Sequence, residues 1–124
     1  IGIADGKAVK WIIESAALND EEIAELTRLI SKIVIETVGQ EKASNVFVKT
    51  STGFYQSDDG RPIGATPEAV SIMKSNSGPL QVKASGGIYS KEDAEKMIGA
   101  GATRLGTSAA KDIMVGNKID NTEY

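Results

Sequence analysis

The chain contains neither cysteine nor histidine among its 124 residues. Without cysteine it can form no disulfide and no thiolate nucleophile, and without histidine it lacks the most common general base and metal ligand. Any acid–base or covalent chemistry must therefore be carried out by lysine, carboxylate, tyrosine or hydroxyl side chains. We expect neither a metal nor an organic cofactor.

Long hydrophobic runs and a large excess of one charge are absent as well. Fourteen lysines and arginines stand against 17 acids, the net charge is −3, and 40% of the residues are apolar. No run approaches the roughly 20 apolar residues of a membrane span, and the start has no signal-peptide pattern. We therefore expect a globular cytoplasmic protein with no membrane and no nucleic-acid partner.

Short apolar runs alternate with segments of helical periodicity along the chain. A polar turn or a helix-start signal follows each apolar run, as is typical of strands in α/β proteins. The predicted strands are 8–14, 46–49, 80–83 and 103–105. The predicted helices begin at Asn19, Thr66 and Ser90, and a short last helix covers 109–115.

The first predicted helix has the clearest signals. Asn19 and Glu22 stand at the spacing of a capping box, which satisfies the free N–H groups of a helix start. The residues expected on its buried face are Ile23, Leu26, Ile30, Ile33 and Thr37.

The β-α-β-α order predicts a parallel sheet, because a right-handed crossover returns each strand in the same direction. A doubly wound sheet and part of a (β/α)8 barrel both fit. Glycine- or hydroxyl-rich turns follow three strands, at 50–53, 85–87 and 106–108, and the common nucleotide-binding motifs of open sheets are absent. We therefore predict an α/β fold with half of a TIM barrel, because only four of eight units are present. The whole of 1–124 is then one domain, with a polar tail at 116–124.

Two lysines are candidates for catalysis. Lys49 and Lys83 each end a predicted strand, just before a polar turn. Most lysines at strand ends are solvated surface groups. Lys49 and Lys83, however, occupy equivalent positions on neighbouring predicted strands, which in a barrel would bring both ammonium groups to the same open end. Burial and like-charge repulsion then lower the pKa of an amine, and a neutral lysine can attack a carbonyl to form a Schiff base. The spacing does not decide which lysine is the nucleophile.

The glycine-rich turns have two interpretations. They can be plain tight connections, or their backbone N–H groups can bind an anion. If the four strands are the last of a barrel, these turns lie in the loops where barrel enzymes frequently hold phosphate. The candidate phosphate-binding residues are Gly86, Gly87, Gly106, Thr107 and Ser108.

Several segments together resemble one family. FVKTSTGF at 47–54, GATPEAV at 64–70, VKASGGI at 82–88, EDA at 92–94 and AGATRLGTS at 100–108 are similar in order and spacing to deoxyribose-phosphate aldolase. KWIIESAALND at 10–20 resembles the family's fifth strand. The resemblance runs from about residue 8 to residue 115 and covers the C-terminal half of the family's domain.

The resemblance implies a class I aldolase on a TIM barrel. Its reaction is the reversible cleavage of 2-deoxy-D-ribose 5-phosphate to acetaldehyde and D-glyceraldehyde 3-phosphate. By motif, Lys49 is the Schiff-base lysine, and Lys83 is the second lysine, which lowers the pKa of the amine and takes part in proton transfer. The turns 86–87 and 106–108, with help from Thr50, match the phosphate-contacting segments.

The chain departs from the family pattern at several points. The family's catalytic aspartate lies on an earlier strand, and Glu14 does not match its motif position. Tyr89 stands where the family often has arginine, and Phe54 where some members have lysine. The loop at 56–63 is longer than usual. Phosphate binding would therefore lean more on backbone amides.

Half a barrel leaves two unpaired sheet edges and an open interior, so we expect a partner. The chain is a fragment cut at Ile1 whose other half is a separate segment, or it closes with a second copy as a homo-oligomer, or it packs in a partly open form. We favour the first. The expected ligand is a small phosphorylated sugar. The alternative functions are a non-catalytic half-barrel scaffold and another phosphate-binding barrel aldolase.

Overall fold

The computed structural model describes residues 4–116, which form four βα units around one sheet. The predicted polar tail lies outside the described residues from 117 onwards. In chain order the elements are β1 (Val9–Ile12), a 3-10 helix (Ser15–Ala17), α1 (Asp20–Val38), α2 (Gln40–Ala43), β2 (Val46–Lys49), α3 (Pro67–Asn76), β3 (Gln81–Ser85), α4 (Lys91–Ala100), β4 (Arg104–Gly106) and α5 (Ala110–Val115).

The sheet runs in the order β1-β2-β3-β4, and every neighbouring pair is parallel. A doubly wound sheet reverses its strand order at a switch point and carries helices on both faces. Sequential order instead places every right-handed crossover helix on the same face, as in a barrel. The predicted α/β fold of parallel units is confirmed, and four units are half of the eight in a TIM barrel.

The helices cover one face of the sheet. Val48, Val82 and Ala84 point to that face and are fully buried. They join a single apolar cluster with side chains from the three long helices, including Val34 of α1 and Met73 of α3. Burying such side chains contributes about 1.5–3 kcal/mol each, which makes this layer the main source of stability.

The three predicted helix starts are confirmed by their caps. The Asn19 side chain accepts a hydrogen bond from the Glu22 amide (2.8 Å), and Glu22 accepts from the Asn19 side chain instead of its backbone. Thr66 caps α3 ahead of Pro67, and Ser90 forms a full capping box with Asp93 at α4.

The buried face of α1 differs from the prediction. Ile33 and Thr37 are exposed, whereas Thr27, Ser31 and Val34 are buried. At about 100° per residue, positions 23, 27, 30 and 34 lie within about 60° of one another, whereas Ile33 lies about 90° from the middle of that stripe. Thr27 tolerates burial because its hydroxyl donates to the Ile23 carbonyl (2.7 Å).

Three strand ends also differ from the prediction. β1 stops at Ile12 because Glu14 adopts a left-handed backbone conformation (φ 53°, ψ 62°). β3 continues to Ser85, because Ser85 pairs with Gly106 of β4, which shifts β4 one residue along the chain. The short α2 has too few residues to show periodicity and was not predicted. Within residues 4–116 no helix is long and apolar enough to cross a membrane.

Candidate active site

The candidate site lies on the sheet face that the helices leave open. Register places alternate residues of the strands on this face, and four of them are cations while none is acidic. Phe47 is buried here under Arg104, whose guanidinium lies 4.6 Å from the centre of the ring. The strand residues of this face, which we call the open face, are Lys10, Ile12, Phe47, Lys49, Gln81, Lys83, Ser85, Arg104 and Gly106.

Lys49 and Lys83 are direct partners across β2 and β3, so both side chains leave the same face. The prediction that both lysines end their strands is wrong for Lys83, which lies two residues before the end of β3. Both residues are half-buried. Because partners in a sheet stand side by side, the structure brings the two predicted lysines together.

The pKa of Lys83 is lowered from its ordinary value. Desolvation by burial is the largest cause, and repulsion from Lys49, Lys10 and Arg104 follows in that order. Both effects disfavour the ammonium form. Lys10 and Arg104 were not singled out from the sequence. The signal that could have found them is the alternation of each strand, which places them on the same face as the lysines.

Removing the charge of Lys49 should raise the pKa of Lys83. The reason is that Lys49 contributes the largest of the three repulsions on the Lys83 ammonium. We expect Lys49→Met to move the Lys83 titration upwards and Lys49→Arg to leave it low, as followed by NMR of a selectively labelled lysine side chain. An unchanged titration in Lys49→Met would show that the two amines do not interact.

Thr50 joins the ends of β2 and β3. Its buried hydroxyl donates to the Ser85 carbonyl (3.1 Å) and accepts from the Ser85 amide (3.0 Å) and the Ser51 hydroxyl (3.1 Å). Its amide donates to the Lys83 carbonyl (3.0 Å). Thr50 therefore holds the two strand ends together, and its predicted contact with phosphate would require this network to open.

The turn after β3 is built by backbone contact. Gly86 and Gly87 both have positive φ angles (84° and 75°), which side chains disfavour. Gly86 lies against Gly64, and the Ala65 amide donates to the carbonyls of both Ser85 and Gly86 (3.0 Å each). This contact ties the end of β3 to the segment that leads into α3.

The turn after β4 is fastened to the turn after β3. The Thr107 hydroxyl donates to the Ile88 carbonyl (2.7 Å) and accepts from the Ala109 amide (2.9 Å). A side chain at Gly106 would lie 2.5 Å from the Ser85 hydroxyl and 3.1 Å from Cε of Lys83. The two predicted phosphate turns are thus neighbours beside Lys83, and Ser108 is exposed at their rim.

Among residues 4–116 no group of three or more acidic side chains is placed to hold a metal ion. Phe54, where some family members have lysine, projects outwards and is 90% exposed. The Tyr89 amide donates to the Asp93 carboxylate (3.1 Å), as part of the start of α4.

Comparison with known proteins finds aldolases that are similar to the chain in sequence. No family model matches the chain. The deoxyribose-phosphate aldolases of Staphylococcus haemolyticus and Listeria monocytogenes (strain EGD-e) are 46% and 45% identical to it, over 98% and 95% of the chain. The chain matches one half of deoxyribose-phosphate aldolase. It spans 48% and 47% of these two relatives.

Solved structures agree with the sequence comparison. A tetrameric deoxyribose-phosphate aldolase from Aeropyrum pernix matches 92% of the chain with a TM-score of 0.66 and 33% identity. An aldolase named QR15 matches 84% of the chain with a TM-score of 0.63 and 42% identity. The chain covers 45% and 40% of these structures. The resemblance to deoxyribose-phosphate aldolase that the motifs predicted is confirmed.

Proposed function

We propose that the chain supplies the Schiff-base half of a class I aldolase that cleaves 2-deoxy-D-ribose 5-phosphate. The observation that carries the proposal is the direct pairing of Lys49 with Lys83 on the open face. A second cation beside an amine favours the neutral form that attacks a carbonyl. The relatives named deoxyribose-phosphate aldolase support the choice of substrate.

In this proposal Lys49 is the nucleophile, because it ends β2 beside the turn that carries the family motif. Its neutral amine adds to the C1 aldehyde of the open-chain sugar, and the resulting carbinolamine takes up a proton and loses water to give a protonated imine. The C2–C3 bond then breaks. Its electron pair moves into the imine to give an enamine, and the C3 hydroxyl gives up its proton as D-glyceraldehyde 3-phosphate leaves. Protonation at C2 and hydrolysis release acetaldehyde and the free amine.

Lys83 is proposed to exchange protons with the reacting groups. Its lowered pKa brings its proton affinity closer to neutral pH, where general acid–base catalysis is most effective. A Cβ built at Gly106 would lie 3.1 Å from Cε of Lys83, so Lys83 adjoins the start of the turn 106–108. The carboxylate with which the family's second lysine works is not matched in this chain, so we assign it to the complementary half.

The sugar phosphate is proposed to bind at the turns 86–87 and 106–108. The two turns are held together by the Thr107 hydroxyl, and their exposed members Gly87 and Ser108 present polar groups at the carboxyl edge of the sheet. Backbone N–H groups in glycine turns are suitable donors to phosphate oxygens. In this arrangement Thr50 shapes the turn beneath the site, and its contact with phosphate stays a prediction.

We propose that a complementary βα segment closes the open face. Four cations and no acid lie on the strand positions of that face, so two copies of it would set like charges against each other. A segment that presents carboxylates would complement them. The relative from Aeropyrum pernix is described as a tetramer, and we propose that the closed enzyme forms a homo-oligomer in the cytoplasm. We call the chain together with this segment the assembled enzyme.

Trapping of the imine tests the proposal. The assembled enzyme is treated with borohydride and acetaldehyde, and the modified residue is located by peptide mass spectrometry. We expect an N-ethyl group on Lys49 and cleavage of deoxyribose 5-phosphate in preference to other aldol phosphates. Labelling at another residue would refute the assignment of Lys49, and preference for another phosphate would favour the alternative barrel aldolase.

The same experiment separates the enzyme from a scaffold. A non-catalytic half-barrel module is the second candidate function, and the open face of the sheet favours it. We expect trapping in the assembled enzyme and little in the chain alone, because the open face exposes the amines to water. No trapping in either sample would favour the scaffold, and full turnover by the monomeric chain would show that closure is unnecessary.

A further inference from the structure

Glu14 has an unfavourable backbone conformation at the end of β1. Its φ of 53° and ψ of 62° lie in the left-handed region, which residues with a side chain avoid and glycine adopts freely. Among the non-glycine residues in 4–116, Asp5 is the only other one with positive φ. A strained conformation held by a residue other than glycine points to a use for its side chain.

The carboxylate of Glu14 crosses to the turn after β2. Its Oε2 accepts a hydrogen bond from the Thr52 amide (3.0 Å). Its Oε1 is buried and has no hydrogen-bond partner among the described residues. A buried acceptor without a partner costs free energy. Glu14 therefore reduces the stability of the fold both through its left-handed backbone and through its unpaired Oε1. Glycine at this position would avoid both costs to stability.

The residues on either side of Glu14 are attached to the same strand end. The Ile13 amide donates to the carbonyl of Lys49 (3.0 Å), and the Ser15 amide donates to the carbonyl of Thr50 (2.8 Å). Together with the bond to Thr52, three contacts hold the stretch that begins at Lys49. Two of them are made by backbone that any sequence provides, and the third needs a side-chain oxygen at residue 14.

We propose that Glu14 is a positioning residue for Lys49, acting through the hydrogen bond to the Thr52 amide. This inference rests on the proposed role of Lys49 as the nucleophile. Lysine has a long, flexible side chain, and attack on a carbonyl requires alignment of the reacting atoms. Thr50 and Ser51 are buried, so the Glu14 bond is the contact that fixes the exposed part of the turn at Thr52. Without it, that part of the turn loses its fixed path beside Lys49.

Two substitutions of matched design test the inference in the assembled enzyme. Glu14→Gly removes the carboxylate and relieves the backbone strain, so the protein should keep or gain thermal stability. We expect its kcat for deoxyribose 5-phosphate to fall about tenfold or more, with little change in KM. Glu14→Gln keeps the strain and a side-chain oxygen that can accept from Thr52, and should restore kcat to within about threefold of wild type.

Amide hydrogen exchange of Thr52 reports on the contact without turnover. We expect faster exchange in Glu14→Gly and near-wild-type exchange in Glu14→Gln. The inference is overturned if Glu14→Gly keeps the wild-type kcat, or if Glu14→Gln is as slow as Glu14→Gly. Absence of imine trapping in the wild-type enzyme would instead overturn the proposed function, while the exchange measurement still tests the contact.

Discussion

We expect replacement of Lys49 by arginine to abolish imine trapping and to lower the rate of deoxyribose 5-phosphate cleavage by roughly a thousandfold or more. The substitution keeps a positive charge at the same position of the open face, so the repulsion on Lys83 persists. The guanidinium stays protonated at all accessible pH values and cannot act as the neutral nucleophile. The loss therefore reports on nucleophilicity and not on charge. Single-turnover rates and borohydride labelling with acetaldehyde provide the measurement.

Two further variants show whether the loss is specific to Lys49. Lys42→Arg changes an exposed lysine of α2 and should leave both trapping and turnover unchanged. Lys83→Arg distinguishes between the paired lysines: the imine should still form at Lys49, more slowly, because arginine cannot exchange a proton at residue 83. Trapping at Lys83 in the Lys49→Arg enzyme would reverse the two roles.

The helix starts and strand β2 could be predicted because their sequence signals lie within or next to the elements themselves. The caps at Thr66 and Ser90 are set by hydroxyl groups within a few residues of the N–H groups that they satisfy. Strand β2 was predicted with correct bounds because it is a short apolar run ended by a polar turn. The order of these elements was sufficient for a parallel α/β sheet. The two lysines were found from their predicted strand-end positions, and the family motifs assigned their roles.

The remaining features depend on residues that are distant in sequence. The end of β3 is set by pairing of Ser85 with Gly106, which no pattern within β3 reveals. The cationic open face arises only when register brings Lys10 and Arg104 beside the lysine pair. Glu14 carries no left-handed signal of its own, since glycine or asparagine is the usual residue in that conformation. Its conformation accompanies a contact with Thr52, 38 residues away in the sequence.

The contact between Gly64 and Gly86 has the largest expected effect on stability. A Cβ added at Gly64 would lie 2.5 Å from the Gly86 carbonyl oxygen and 2.9 Å from its Cα. These are backbone atoms, so no side-chain rotation relieves the clash. Separation of the two segments would also break the bonds from the Ala65 amide to Ser85 and Gly86. We expect Gly64→Ala to reduce the free energy of unfolding by about 3 kcal/mol.

Gly99→Ala is the matched control for this prediction. Gly99 lies in α4, and a Cβ there would meet no atom within 4 Å. Because alanine favours a helix over glycine, this change should raise the free energy of unfolding by about 0.5–1 kcal/mol. Urea unfolding of both variants measures the difference.

Gly64→Ala should in addition raise KM for deoxyribose 5-phosphate, since the Gly86 turn is proposed to bind phosphate. Equal stability of the two alanine variants would mean that the backbones at 64 and 86 do not touch. A stability loss with unchanged KM would separate the contact from the proposed phosphate site.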